Sequence, residues 1–477
     1  MGKYRYLLKN VGLMAIGQFG SRILSFLLVP LYTSILSAAD YGTFDLYSTI
    51  VQLLVPVLTL NIYDAMLRFA LDGKEDIKQV HAVGLGVFFI GTVILLILVV
   101  ANLFVGFLPI VNQYPWLFFL FYIVNALSLM LSNFARGLDD VSATVISGIL
   151  TTLTMITLNI WFLVGLHWGL FGYFWANIVG TAVGCLVYVF RLRIWQYPII
   201  PKDMSLGRRM IAYSAPLVVN SVSWWINSAS SRYIIIWISG IAANGLFSAA
   251  NKIPSIISIV ANLFNSAWVM SSVKEFDSED KTGFFSKTYK MFSSMIMICC
   301  ALLIAGSFIL GSFLYRGEFH SAWALTSFMT LGAAFSAVAG YLGGIFAAAK
   351  QTKIFAYSTF AGCVTNIILG IILTKMFGVM GAAAAVMISN YVILVIRFIQ
   401  IKGFMRINLG LIREHAVYAL LIAESYTAIG LEANSLWYVP TFTLTLLVVA
   451  LYRRELTALL NKMFGDRFSH LSKKHTN

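Results

Sequence analysis

The chain has 477 residues, of which 60% are hydrophobic and 11% charged, with a formal net charge of +14 at pH 7. So much apolar surface exceeds what a water-soluble domain can bury, and a bilayer is the expected solvent. The positive charge is divided into short clusters between long apolar runs, which excludes a nucleic-acid-binding domain and fits membrane topology instead.

Lys3, Arg5 and Lys9 precede an apolar run that continues through Gln18 and Arg22 without a small-residue cleavage site. A retained first span is expected there. At roughly 20 apolar residues per crossing, the sequence predicts spans at 11–36, 43–69, 82–109, 114–135, 141–165 and 168–190, then at 210–239, 243–271, 288–314, 321–347, 353–374, 378–401, 414–432 and 435–452. The expected fold is thus an all-α membrane protein with fourteen transmembrane helices. With a cytoplasmic N-terminus, 28 of the 33 Lys and Arg residues fall on that side. Of the five others, Arg316 and Lys375 lie outside, and Arg22, Arg232 and Lys252 lie within the membrane. This asymmetry predicts that both termini are cytoplasmic. No loop is long enough to fold by itself, so function has to reside among the helices. Cys185, Cys299, Cys300 and Cys363 sit in apolar runs without metal-ligand spacing, which predicts neither disulfides nor a metal site.

The turn after the first predicted span, Ala39-Asp40-Tyr41-Gly42-Thr43-Phe44, matches Ala242-Ala243-Asn244-Gly245-Leu246-Phe247 at an offset of 203. Gly169-Leu170-Phe171-Gly172 similarly matches Gly378-Val379-Met380-Gly381. The repeat predicts a six-helix bundle over 1–200, a second over 201–405 in the same orientation, and two further helices with a basic tail over 406–477. The two bundles are expected to surround a central cavity, with the last two helices peripheral.

Polar residues inside the membrane are costly and mark helix contacts or a wet cavity. In the eighth predicted span, Asn244, Ser248, Asn251, Ser255, Ser258 and Asn262 recur at steps of four and three, with Lys252 on the flank. They form one stripe on a continuous helix. The seventh carries Asn220, Trp224, Asn227 and Ser231 beside Arg232, and the first offers Gln18, Arg22 and Ser25. Small polar stripes also arise simply from helix packing, but a buried cation costs a few kcal/mol on insertion scales and packing alone does not require one. Arg22 lies about 11 residues into its span, roughly 17 Å, near the midplane. In the second span Asn61, Asp64 and Arg68 share a face beyond a kink expected at Pro56, where an Asp64–Arg68 ion pair is as reasonable as a functional role. Arg68, Arg22, Lys252 and Arg232 form a ladder of positive charge, which implies an anionic ligand. Together with Asp64, Asn227 and Asn251 they are the expected substrate-binding residues.

The sequence resembles the Wzx-type polysaccharide flippases, relatives of the MATE drug exporters and the MurJ lipid II flippases. The residues that carry the likeness are Leu7-Leu8-Lys9-Asn10, Gly17, Ser25, Pro30-Leu31-Tyr32, the turn from Leu36 to Asp40-Tyr41-Gly42, and Ala65-Met66-Leu67-Arg68-Phe69. No single one is a strict motif, but their order, the spans and the repeat cover essentially the whole chain. The resemblance implies an undecaprenyl-pyrophosphate-linked oligosaccharide, turned from the cytoplasmic to the outer leaflet of a bacterial plasma membrane by alternating access. It also implies a groove for the lipid tail at the last two spans, and polysaccharide assembly proteins as possible partners of a monomer. No cofactor is implied beyond coupling to a proton or sodium gradient or to the membrane potential. Asp64 is the candidate responsive carboxylate, with Glu424 and Asp45 weaker ones. The alternatives are a MATE-like exporter of organic cations, which would favour acidic cavity residues, and a membrane glycan polymerase or ligase, which would favour a large outer loop. No P-loop, H-E-x-x-H or G-x-S-x-G sequence supports an enzyme.

Overall fold

The computed structural model describes residues 26–201, 203–349, 351–430 and 434–457, except for the side chains at 266, 267, 269, 270, 274 and 352. Helices account for nearly all of the described chain, with no strand among the described residues. The protein forms two compact units, Met1–Ser230 and Ser231–Asn477.

The first unit begins with α1 (Val29–Ile35) and α2 (Ala38–Leu58). Ser37 and Asp40 close a capping box that fixes where α2 starts. Then follow α3 (Ile62–Asp72), α4 (Ile77–Val105), α5 (Pro115–Gly137), α6 (Val141–Asn159), α7 (Gly169–Arg191) and the long α8 (Met204–Ser239), whose last turns enter the second unit. The kink expected at Pro56 falls slightly later. α2 and α3 meet at 55°, with Leu60 and Asn61 in left-handed backbone at φ 50° and 52°. The proline lacks an N–H and crowds the preceding turn, but α2 runs two residues past it before the chain turns. α6 winds into a wider turn at Ile160–Gly165 and packs along α7. A Cβ on Gly180 would stand 3.1 Å from Thr151 O, and one on Gly184 2.1 Å from Thr151 Oγ1. The Gly180-x-x-x-Gly184 spacing therefore lets the two backbones approach, and Ser147 Oγ donates to Gly184 O at 2.9 Å.

The second unit holds α9 (Ile241–Ala250), α10 (Ser255–Lys274), α11 (Phe284–Ala305), α12 (Ser307–Leu314), α13 (Ala322–Ala348), α14 (Thr352–Ile401), α15 (Leu411–Ile429) and α16 (Tyr438–Leu451). α9 and α10 meet at 54°, so the eighth predicted span is broken at 251–254, just before and at Pro254. α2 and α9 begin at Ala38 and Ile241, which preserves the offset of 203. The α14 segment folds on itself at Gly378 (φ 59°, ψ −141°). Gly362 on one arm faces Ile393 and Ser389 on the other, so 352–377 and 379–401 are antiparallel. Gly169, at φ 53°, likewise opens α7 in left-handed backbone. The second glycine of each matched turn, Gly172 or Gly381, lies against the helix just completed. A Cβ on Gly381 would stand 1.9 Å from Leu373 O, a backbone atom that cannot swing aside. Gly381→Ala is therefore expected to cost about 2–3 kcal/mol, read as a lower unfolding temperature in detergent.

The last two helices are packed into the second unit's core. Val417, Tyr418, Leu421, Val448 and Tyr452 belong to the same apolar cluster as Phe292, Tyr341 and Phe346. Arg397, counted on the cytoplasmic side at the end of the predicted span 378–401, lies in that helix and is only 4% exposed. Its Nε donates to Ser358 Oγ at 3.0 Å, a guanidinium N–H donates to Ala339 O, and the group stacks 4.5 Å from the Phe355 ring. Gly343 leaves the room it needs.

Among the described residues, seven helices are long and apolar enough to cross a membrane, or nine if each bent pair is one span. The protein is thus a multi-pass membrane protein. Polar contacts sort its loops by face within each unit. Glu75 pairs with Arg209 and Asp140 with Arg191, each at 2.7 Å, which joins the ends of α3, α5, α7 and the start of α8. In the second unit Arg406 pairs with Glu279 at 3.2 Å, and Arg413 pairs with Glu455. An even number of helical passes separates each joined pair, as crossing a membrane requires. Burial alone would raise the Asp140 carboxyl, but hydrogen bonds from Arg191, Ser142 and the Ala143 N–H outweigh it and hold that loop carboxyl below the usual range.

Candidate functional site

A cavity of about 940 Å³ lies wholly within the first unit. Five helices and the start of α3 supply its described walls. α2 contributes Ser48 and Gln52, one turn apart on the face that also carries Val51 and Val55. α5 presents Asn125, Ser128 and Ser132, at i, i+3 and i+7. α6 adds Thr144, Ser147, Thr151 and Thr152, and α7 adds Tyr188. α8 contributes Asn220, Ser221, Trp224, Trp225 and Ser228. The described lining carries no Asp, Glu, Lys or Arg.

Hydrogen bonds fix this wall. Asn61, fully buried at the α2–α3 break, donates from Nδ2 to Ser221 Oγ at 2.9 Å and accepts from Tyr63 OH at 2.6 Å. Asparagine tolerates the left-handed backbone there better than most residues, so the break and the latch across to α8 come from the same side chain. Trp225 Nε1 donates to Thr49 O at 2.7 Å, a second α8–α2 tie. Phe121 extends from the lining into an aromatic cluster with Phe44 and Phe174. Along α6 the cavity begins at Thr144, about 5 Å from the end that carries Asp140, and on α2 it reaches Ser48, about 15 Å from the opposite end. It therefore extends from mid-height toward the face with the Asp140–Arg191 pair.

The structure distributes the expected site residues widely. Arg22 lies outside the described residues, as do Gln18 and Ser25. Asp64 is half-buried on α3 next to Tyr63 but outside the lining. Arg68 is exposed and pairs with Asp72 at 3.3 Å, one turn on, in place of Asp64. Of the α8 stripe, Asn220 and Trp224 line the cavity, while half-buried Asn227 does not. Ser231 serves packing, since Asn366 Nδ2 donates to its hydroxyl at 2.9 Å. Arg232 is half-buried near the end of α8. Asn251 is exposed and Lys252 half-buried in the turn between α9 and α10. Asn244 and Ser248 are buried before that turn, whereas Ser258 and Asn262 are exposed beyond it. The sequence reading missed the α5 and α6 residues that line the cavity; for α5 the signal available was Asn125, Ser128 and Ser132 at helical spacing.

Among the described residues no cluster of three or more His, Cys, Asp or Glu side chains could hold a metal ion. Solved structures with this fold include the lipid II flippase MurJ in an inward closed conformation, with TM-score 0.69 and 13% identity over 94% of this chain and 98% of that one. An inward-facing multidrug resistance MATE family transporter of the MOP superfamily gives TM-score 0.65 and 14% identity over 82% and 97%. A MOP superfamily transporter from Pyrococcus furiosus, whose binding pocket of reverse polarity is described as suggesting a different function, gives 0.55 and 13% over 83% and 95%. No curated protein sequence matches the chain significantly. The family model described as polysaccharide biosynthesis protein matches residues 7–273, more than half of the chain. With the helical transporter fold and the polar cavity in its first unit, the chain belongs to the polysaccharide biosynthesis protein family, the family of the Wzx-type flippases.

Proposed function

We propose that the protein is a flippase that moves an undecaprenyl-pyrophosphate-linked oligosaccharide from the cytoplasmic to the outer leaflet of a bacterial plasma membrane by alternating access. The observation that carries this reading is the hydroxyl- and amide-lined cavity inside a unit whose outer helix faces are apolar. A lipid-soluble molecule needs no such interior, and a glycan dragged through hydrocarbon would leave its hydroxyls unpaired. An organic cation would favour carboxylates, which the described lining lacks. The family's place in polysaccharide biosynthesis supports the substrate class.

In this reading both termini are cytoplasmic, fourteen spans are arranged as two six-helix bundles with two added helices, and the loops that carry the Asp140–Arg191 pair in the first unit and those that carry the Arg406–Glu279 pair in the second are each cytoplasmic. Arg22, Arg68, Arg232 and Lys252 are candidates for the pyrophosphate, which an inside-negative potential drives outward at about 2.3 kcal/mol per charge per 100 mV. Asp64 is the candidate coupling carboxylate, and Asn227 and Asn251 are candidate glycan contacts. The chain performs no covalent step and acts as a monomer, with polysaccharide assembly proteins as partners.

The test reconstitutes the full chain in liposomes carrying a polyprenyl-pyrophosphate-linked oligosaccharide in both leaflets. A glycosidase added outside should consume nearly the whole pool when the protein is present and only the outer pool without it. Equal protection in both would overturn the reading.

A further inference from the structure

We infer that the first-unit cavity is a subsite for uncharged sugar rings, in which Trp224 provides the stacking surface and anionic sugars are rejected. The inference rests on the flippase reading for its lipid carrier, but the sugar-binding claim stands on the cavity itself.

The described lining is neutral, yet most of its members are polar. Hydroxyls and amides can each donate and accept, which matches the mixed donors and acceptors around a sugar ring. A uronate or another acidic sugar would bring a full charge to walls without a described countercharge, and burying an unpaired charge costs far more than burying a hydrogen-bonded hydroxyl. The volume of about 940 Å³ lies toward the upper end of the roughly 300–1,000 Å³ typical of small-molecule sites. It exceeds what a single inorganic ion would need.

The hydrogen bonds already made show which groups remain for a ligand. Asn125 spends an Nδ2 hydrogen on Phe121 O at 2.7 Å, which fixes the amide and leaves its Oδ1 as an oriented acceptor. Gln52 spends its Nε2 on Ser48 Oγ at 3.3 Å and presents Oε1 in the same way. The two tryptophans divide the work. Trp225 is anchored by its Nε1 to Thr49 O, whereas Trp224 is 53% exposed and lines the cavity. An aromatic face set among fixed amides suits the C–H face of a sugar, with the hydroxyls at its rim reaching the polar wall.

Two measurements test this. Titration calorimetry on the detergent-purified full chain would compare a soluble neutral oligosaccharide with the same molecule carrying one uronic acid ring. The neutral form should bind at least about tenfold more tightly, a difference of about 1.4 kcal/mol. Trp224→Ala should weaken neutral binding by several-fold, and Trp224→Phe should restore most of it. The second measurement repeats the liposome assay with both glycans on the same polyprenyl pyrophosphate, where the neutral substrate should cross faster by a similar factor. Equal binding of the two glycans, or binding indifferent to Trp224→Ala, would overturn the inference. If binding discriminates but neither lipid-linked substrate crosses, the flippase reading fails and the sugar subsite survives.

Discussion

Arg22→Ala should abolish surface-polysaccharide export while leaving the protein in the membrane. The argument is one of depth. The first span predicted from the sequence begins near position 11, so Arg22 is expected roughly 17 Å into it, where a cation would cost a few kcal/mol unless it faced water or a counter-charge. A cation retained at that expected depth would have to be used, and the pyrophosphate is the anion that the proposed substrate supplies. Arg22→Lys separates two ways of using it. If charge alone matters, lysine should retain part of the activity; if the guanidinium fork grips two phosphate oxygens, little should remain. The measurement is complementation of a strain lacking the gene, scored for surface polysaccharide beside membrane abundance. Undiminished export by a well-expressed Arg22→Ala variant would take this residue out of the mechanism and leave Arg68, Arg232 and Lys252 as candidates.

Charge was the louder signal in this sequence, and it pointed only partly at the cavity. An intramembrane arginine is visible by itself because its insertion cost is large. A serine or threonine costs little in a helix that can bond it back to its own backbone, as Thr152 Oγ1 does to Gly148 O at 2.8 Å. Such residues are therefore scattered through packing faces and cavity walls alike. Asn220 and Trp224 were readable because they stood in a stripe near Arg232, whereas Asn125, Ser128 and Ser132 carried equal periodicity without a charge beside them. Helix limits follow hydropathy closely in some single passes and less so in others, since Ile77–Val105 begins five residues before and ends four residues before the expected 82–109. Val141–Gly165 and Ala322–Ala348 fall within a residue of the expected ends. They fail where backbone geometry interrupts a continuous apolar run. The eighth predicted span was treated as one helix with one polar face, but the break before Pro254 gives buried Asn244 and exposed Asn262 different surroundings. The matched glycines fared better than their weak motif suggested, because Gly169 and Gly378 both adopt positive φ, a constraint that survives when flanking side chains change.

Glu414→Ala should lower stability more than any other single substitution in the last two helices. Glu414 is fully buried in α15, and two other helices converge on it. Ser293 of α11 donates its hydroxyl to Oε2 at 2.5 Å, and Tyr452, at the end of α16, donates to the same oxygen at 3.1 Å. Arg413 approaches Oε1 at 3.4 Å, pairs also with Glu455, and stacks 4.8 Å from the Tyr452 ring. Truncation removes the acceptor for three buried hydroxyls, those of Ser293, Tyr452 and Tyr418, and half of the charge that balances Arg413, so a loss of about 3–5 kcal/mol is expected. That is a large fraction of the roughly 5–15 kcal/mol of a typical domain. Glu414→Gln separates the contributions. Its carbonyl still accepts from Ser293 and Tyr452, and Glu455 still faces Arg413, so its cost should be well below that of alanine. Thermal unfolding followed by size-exclusion chromatography in detergent would rank the three proteins as wild type, then Gln, then Ala. An alanine variant that unfolds with the wild type would mean that α15 and α16 are held by their apolar contacts alone. The polar cluster would then orient these helices without stabilising them.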